Sequence, residues 1–113
     1  MKDKLLIVIS TDNVDTIVKF PLLYGSVSMP REYWKHVHVM FWGASIIPAK
    51  NNSFVREKVV EMQKENVEFS SCILCTEEYE GIELLEEIGI KVRHTGEFLT
   101  EALKNSEWAV LNI

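Results

Sequence analysis

Two cysteines separated by two residues are the side chains in this sequence best suited to chemistry. Cys72 and Cys75 are the only cysteines, and they lie between a strand-like segment and a helix-like segment. A disulfide across so short a loop would restrict the unfolded chain very little, so structural crosslinking does not explain the spacing. The pattern favours redox, metal or sulfur chemistry, and a following helix N-terminus should favour a thiolate. The alternative is that both are unreactive core residues.

Composition limits the classes of protein to consider. The 113 residues are 47% hydrophobic and 26% charged, which predicts one globular domain spanning residues 1–113. The net charge of −5 argues against nucleic acid or a membrane surface as a partner. The apolar run at residues 5–9 is too short for a signal sequence or a membrane span, which predicts a cytoplasmic protein. In a reducing compartment, a close cysteine pair is more often functional than permanently oxidised.

Strand-like and helix-like segments alternate along the chain. Strands are predicted at residues 5–9, 37–42, 67–72, 90–92 and 108–111, with helical apolar spacing between them. The helix after the third strand is predicted to begin at Thr76, and Gly89 should form the cap that follows the apolar stripe Ile82, Leu85 and Ile88. This order predicts a three-layer α/β fold, a mainly parallel five-stranded sheet with helices on both faces, as in flavodoxin-like layering.

The first predicted helix is more apolar than one sheet face requires. Asp12 or Asn13 should cap it, and Pro21 should kink it. Phe20 and Leu23 add apolar surface outside its core-facing stripe. The excess predicts a second buried surface, and therefore a homo-oligomer.

Several polar or distinctive residues follow predicted strands. In parallel α/β sheets, ligands bind where the carboxyl ends of strands meet the following loops. Those positions are held here by Cys72, Arg93 with His94, Trp42 with Gly43, and Asp12, which we expect to share one edge of the sheet. Arg93 or His94 could stabilise a thiolate or persulfide there, although both residues are also ordinary at exposed positions.

Four segments carry a resemblance to a known family: residues 67–75 (VEFSSCILC), 84–92 (LLEEIGIKV), 96–103 (GEFLTEAL) and 108–111 (WAVL). In this succession they resemble the DsrE/DsrF-like (YchN-like) sulfur-relay proteins, which are small α/β subunits with a cysteine after the third strand. The resemblance implies that Cys72 accepts sulfane sulfur as a persulfide and that Cys75 stands where some members have a second cysteine. It also implies a trimer or hexamer, cytoplasmic sulfur transfer, and sulfur-donor and sulfur-acceptor proteins as partners.

The resulting hypothesis is a sulfur carrier or sulfurtransferase subunit. The Cys72 thiolate would take the sulfur atom, and Cys75 could resolve the persulfide by releasing sulfide and leaving a disulfide. The sequence departs from active relay subunits after the cysteines, where they often have basic residues and this chain has Glu77, Glu78 and Glu80. Nearby carboxylates raise the pKa of a thiol.

Three other functions remain open. A dithiol–disulfide oxidoreductase fits the spacing of the cysteines. The thioredoxin pattern, however, has a proline after its cysteines, and Pro21, Pro30 and Pro48 all precede the cysteines here.

A metal site lacks ligands. His36 opens the second strand, about 20 Å from the end of the third strand where Cys72 lies, so no metal is predicted. A non-catalytic oligomeric scaffold or regulatory subunit would not use the thiols. The sequence has no glycine-rich phosphate loop, and no cofactor is predicted.

Overall fold

Five parallel strands form the centre of the fold. The computed structural model describes residues 2–113, and its strands pair in the order β4-β3-β2-β1-β5. Every pairing is parallel, which confirms the predicted α/β class with a wholly parallel sheet. The strands are β1 (Lys4–Ile9), β2 (His36–Phe41), β3 (Glu68–Cys72), β4 (Lys91–Arg93) and β5 (Trp108–Asn112). The α-helices are α1 (Val14–Ile17), α2 (Leu23–Ser28), α3 (Ile46–Asn51), α4 (Ser53–Gln63), α5 (Ile73–Glu78), α6 (Ile82–Glu87) and α7 (Thr95–Lys104).

The helices are distributed unequally between the two faces of the sheet. Helices α1 to α6 lie over the first face, where Ile7, Val39 and Phe69 belong to the larger buried core. On the second face, α7 alone contributes a helix, and its Ala102 joins a smaller core with Leu6. The chain crosses from β1 to β4 in one direction and then returns to the opposite edge for β5. Because parallel crossovers are right-handed, the returning helix must lie on the other face.

Alternation along the inner strands explains the two cores. In β1, Leu5, Ile7 and Ile9 point to the first face, while Leu6 and Val8 point to the second. All five are buried, as a strand covered on both sides requires. The continuous apolar run that predicted a central strand therefore supplies side chains to both layers.

The predicted first helix is interrupted at Pro21. A π-helical segment, Val18–Leu22, joins α1 to α2 and contains this proline, which has no N–H to donate. Leu22 is buried in the larger core, whereas Phe20 and Leu23 keep 48% and 51% of their surface exposed. The excess apolar residues of this segment therefore lie on the outside of the chain.

The start of α5 differs from the sequence prediction. The helix begins at Ile73 rather than Thr76, with Cys72 as its N-terminal cap residue in an extended backbone conformation. Thr76 Oγ1 donates to the Cys72 carbonyl at 2.6 Å and also contacts Ser71 Oγ at 2.5 Å. Thr76 therefore belongs to the body of the helix, and its hydroxyl satisfies buried polar groups where a cap was predicted.

None of the helices within residues 2–113 is long and apolar enough to cross a membrane.

Gly89 is a position where a side chain should be costly. Its φ is +84°, and a Cβ there would collide with the amide of Gln63, whose Nε2 donates to the Ile88 carbonyl at 2.6 Å. We expect Gly89→Ala to lower the free energy of unfolding by at least about 1–2 kcal/mol.

Gly96 provides the matched control, because its φ is not in the left-handed region and a Cβ there meets no atom within 4 Å. Gly96→Ala should be neutral or stabilising by up to about 1 kcal/mol, since alanine favours a helix. Denaturant unfolding of both variants measures the difference, and equal stabilities would contradict this account of Gly89.

Candidate functional site

Cys72 lies where β3 ends and α5 begins. Its side chain is buried, with 7% of the residue exposed, and its backbone makes the turn from strand to helix. The carbonyl of Cys72 is held by the Thr76 hydroxyl. Local backbone geometry therefore fixes this cysteine at the carboxyl edge of the sheet.

Cys75 is one helical turn further along and is half-buried against the larger core. Both cysteines are free, and they are not bonded to each other. Burial is the largest cause of a raised pKa at the Cys75 thiol, opposed by a hydrogen bond from the backbone of Gly43. A hydrogen bond to Cys72, together with the charges of Cys72 and Glu78, adds to the rise in pKa.

The raised pKa of Cys75 reflects both burial and the acidic segment that follows the cysteines. The predicted effect of the acidic segment is present, with Glu78 as its source, although it is smaller than that of burial. The Cys75 thiol is therefore held in its protonated form more firmly than a free cysteine.

The loop after β2 also reaches the cysteines. Gly43 follows Trp42 with φ +59° and supplies the backbone hydrogen bond to Cys75. Ser45 holds this loop, because its hydroxyl donates to the Ile9 carbonyl at 2.5 Å and accepts from the Trp42 N–H at 3.1 Å. The predicted proximity of Gly43 to the cysteines is thus present in the structure.

The backbone at Arg93 and His94 lies next to Cys72, whereas both side chains are exposed. In the β3–β4 register, Arg93 is the Cα partner of Cys72, and His94 follows it as the cap residue of α7. Both side chains line a groove of about 410 Å³ on the second face, together with Glu68, Glu97 and other residues. Asp12 lies further away along the edge, because β2 separates β1 from β3.

His38 is buried in the middle of β2 and was not predicted as a site residue. Its Nε2 lies 2.7 Å from Ser70 Oγ, and its ring packs edge-to-face on Phe98 with centroids 4.8 Å apart. Burial, followed by the charges of Arg93 and Lys91, lowers the pKa of His38 to about 4. The signal was present in the sequence, since His38 interrupts the apolar residues of a strand predicted to be buried on both faces.

The described part of the chain contains no group of three or more His, Cys, Asp or Glu side chains placed to hold a metal ion.

The parallel five-stranded sheet with helices on both faces is the DsrE/DsrF-like (YchN-like) α/β fold. The YchN protein from E. coli is similar over 100% of both chains, with a TM-score of 0.70 and 10% identity. A protein of unknown function, MTH1491 from Methanobacterium thermoautotrophicum, has a TM-score of 0.72 and 18% identity over 97% of this chain and 98% of its own. At these identities the similarity shows the fold, which confirms the predicted resemblance.

A third solved structure shows the family. The conserved protein of unknown function BT1422 from Bacteroides thetaiotaomicron is 36% identical, with a TM-score of 0.93, over 98% of this chain and 95% of its own. The present chain belongs to the same family as that protein. No family model and no curated protein matches the chain.

The lowered pKa of His38 predicts a loss of stability in acid. Between about pH 6.5 and pH 4 the unfolded chain protonates this histidine and the folded chain does not, so unfolding is favoured as the pH falls. The loss should reach about 3 kcal/mol and stop once the folded protein is protonated as well.

His38→Gln removes this titration while keeping a polar side chain near Ser70. Its free energy of unfolding should fall less than that of the wild type between about pH 7 and pH 4. Neighbouring groups in the groove, including Glu68, Glu97 and Glu101, titrate in both proteins, so the comparison isolates His38. Parallel pH profiles of the two proteins would refute the assignment.

Proposed function

We propose that the protein is a sulfur carrier in which Cys72 accepts sulfane sulfur as a persulfide. The observation that carries the proposal is the position of Cys72 at the end of β3, where α5 begins, with the free thiol of Cys75 one helical turn further along. The DsrE/DsrF-like fold supports the proposal, because the resemblance that implied this fold also assigns sulfur acceptance to the matching cysteine.

The proposed reaction is a displacement at sulfur. The Cys72 thiolate attacks the terminal sulfur of a hydropolysulfide, and a bond forms between Cys72 Sγ and that sulfur. The adjacent S–S bond of the donor breaks, and the remaining polysulfide, one sulfur shorter, leaves with the electron pair. Arg93, whose Cα is paired with that of Cys72, is the nearest candidate along the sheet to stabilise the persulfide anion.

Cys75 has the role of resolving thiol in this proposal. Once deprotonated, its sulfur attacks Cys72 Sγ, a Cys72–Cys75 disulfide forms, and hydrosulfide leaves. The two cysteines are thereby oxidised and the carried sulfur is reduced to sulfide. Because the pKa of Cys75 is raised, this release should be slow at neutral pH, so the persulfide persists long enough to be passed on. We expect the protein to work in a reducing compartment such as the cytoplasm, where the disulfide can be reduced again.

Mass spectrometry after exposure to inorganic polysulfide tests the carrier function. The wild type should gain one sulfur atom on Cys72, and Cys72→Ser should abolish the adduct. Cys75→Ser should keep the adduct and lengthen its lifetime, because the resolving thiol is gone. High salt should be used, so that the charge of the donor does not limit the reaction.

The two rival functions give different results in the same experiment. A dithiol oxidoreductase would form the Cys72–Cys75 disulfide without a sulfur adduct and would need both thiols for activity. A scaffold would form neither product. An adduct carried by Cys75 alone would reverse the assigned roles, and no adduct on reduced, accessible thiols would exclude the carrier function.

We also propose that the chain forms a homo-oligomer through the first helical region. Phe20, Leu23 and the nearby Tyr33 are large apolar or aromatic side chains left about half exposed. Three such residues, carried by one segment and the turn after it, would make an unfavourable surface in a free subunit. The resemblance favours a trimer or hexamer.

Light scattering at micromolar protein concentration checks the assembly. The wild type should be larger than a monomer, and Leu23→Glu should dissociate it, since a buried unpaired carboxylate is costly. Leu103→Glu is the matched control, because Leu103 is a leucine of α7 that is 63% exposed. A monomeric wild type, or dissociation by Leu103→Glu alone, would contradict the proposed interface.

A further inference from the structure

The outer surface of α5 exposes an apolar side chain between the two cysteines. Leu74 keeps 67% of its surface accessible, although it lies between buried Cys72 and half-buried Cys75. Leu84 of α6 is a second exposed leucine in the same helical pair. A leucine at this position contributes little to the core, and it is available for contact with another molecule.

A groove lies beside Leu84 in this helical pair. It has a volume of about 380 Å³ and is lined by Ile82 and Leu84 together with Glu77, Glu80 and Glu83. Apolar side chains and carboxylates therefore share its wall. This combination resembles a protein interface, in which apolar contacts are surrounded by polar groups, more than a closed site for a small molecule.

The α5–α6 hairpin, residues 73–87, is also the most one-sided part of the chain in charge. It contains six of the 17 acidic residues and none of the 12 basic ones: Glu77, Glu78, Glu80, Glu83, Glu86 and Glu87. All six are exposed. None of the ion pairs formed within residues 2–113 includes them.

Two cations approach the hairpin without neutralising its carboxylates. Lys50 Nζ donates to the Tyr79 carbonyl at 2.7 Å, and Arg56 donates to the Leu84 carbonyl at 3.0 Å. Both contacts are with the backbone and fix the position of the hairpin. The acidic charge of the hairpin reaches Cys75, because Glu78 contributes to the raised pKa of that thiol.

We propose that the α5–α6 hairpin is the docking face for a protein partner that presents a cysteine within a basic and partly apolar surface. Leu74 supplies the apolar contact beside the thiols, and the unpaired carboxylates select Lys and Arg on the partner. The exchange of sulfur through this face rests on the carrier function proposed above, whereas the docking itself does not.

Electrostatics favours a basic protein over a small anionic sulfur donor. Like charges lower the local concentration of small anions near the thiols, while opposite charges accelerate association by about 10-fold or more at low salt. A small cation would gain from the charge but would leave Leu74 without an apolar partner. The two features together indicate a macromolecular surface.

Two peptides of equal length test the proposal. One carries lysines and leucines around a cysteine, the other carries glutamates in place of the lysines, and each cysteine is activated as a disulfide with thionitrobenzoate. A protein thiolate attacks the peptide sulfur, a mixed disulfide forms, and thionitrobenzoate leaves with the electron pair and is measured by absorbance.

The basic peptide should react at least about tenfold faster at about 0.01 M salt, where charges interact over about 30 Å. At about 1 M salt the interaction range falls to about 3 Å, and the two rates should converge. Similar rates at low salt, or a faster acidic peptide, would overturn the proposal.

Variants locate the effect on the hairpin. The triple change Glu77→Gln, Glu78→Gln and Glu80→Gln should remove most of the preference for the basic peptide. The matched control, Glu32→Gln, Glu65→Gln and Glu107→Gln, changes three exposed carboxylates in turns before β2, β3 and β5 and should preserve it. A preference that survives the first triple change would exclude the hairpin as its source.

Leu74→Ser separates protein docking from a simple charge effect. Leu74→Ser should slow the reaction with the basic peptide several-fold, and it should leave the reaction with cystamine, a small dicationic disulfide, unchanged. Leu103→Ser should change neither rate. If low salt accelerated the reactions of cystamine and of the basic peptide equally, and if Leu74→Ser changed neither rate, the proposal of a protein partner would be overturned. Because no step requires a persulfide, failure of docking and failure of sulfur carriage give separate results.

Discussion

Parallel pairing of β2, β3 and β4 is the constraint on which the site depends. These strands are neighbours and run in the same direction, so their carboxyl ends meet at one edge. The pairing places the Arg93 Cα opposite that of Cys72 and brings the Gly43 backbone to the thiol of Cys75. Gly43 and Arg93, separated by 50 positions in the sequence, thereby lie beside two cysteines one helical turn apart.

The charge balance at the cysteine pair follows from burial first and from neighbouring charges second. Half-burial disfavours a thiolate at Cys75, and Cys72 and Glu78 disfavour it further, while the Gly43 backbone only partly opposes them. Cys75 therefore holds its proton more firmly than a free thiol. A resolving thiol that stays protonated would suit the proposed carrier, because a persulfide on Cys72 would then persist before Cys75 attacks it.

The two faces of the sheet differ in how many helices cover them and in which site residues they hold. The first face carries six α-helices and the larger core, and the α5–α6 hairpin that bears the cysteines is anchored to it by Lys50 and Arg56. The second face carries only α7 and leaves an open groove that contains His38 and Arg93. His38 is held neutral there by burial and nearby cations, so the polar pair that it forms with Ser70 belongs to the stable core rather than to a titrating site at neutral pH.

Much of this protein could be predicted from local sequence pattern. Five strands with helices between them, a cysteine at the end of the third strand, the interruption at Pro21 and the acidic segment after Cys75 were all readable, because apolar periodicity, proline and charge act over a few residues. The start of α5 was misplaced, since a hydroxyl that caps a helix and one that satisfies a buried carbonyl look the same in sequence. Tertiary structure alone decided the strand order, the hydrogen bond from Gly43 to Cys75 and the burial of His38 against Ser70. Each of these depends on which distant segments become neighbours, and that choice is made by the joint burial of all five strands.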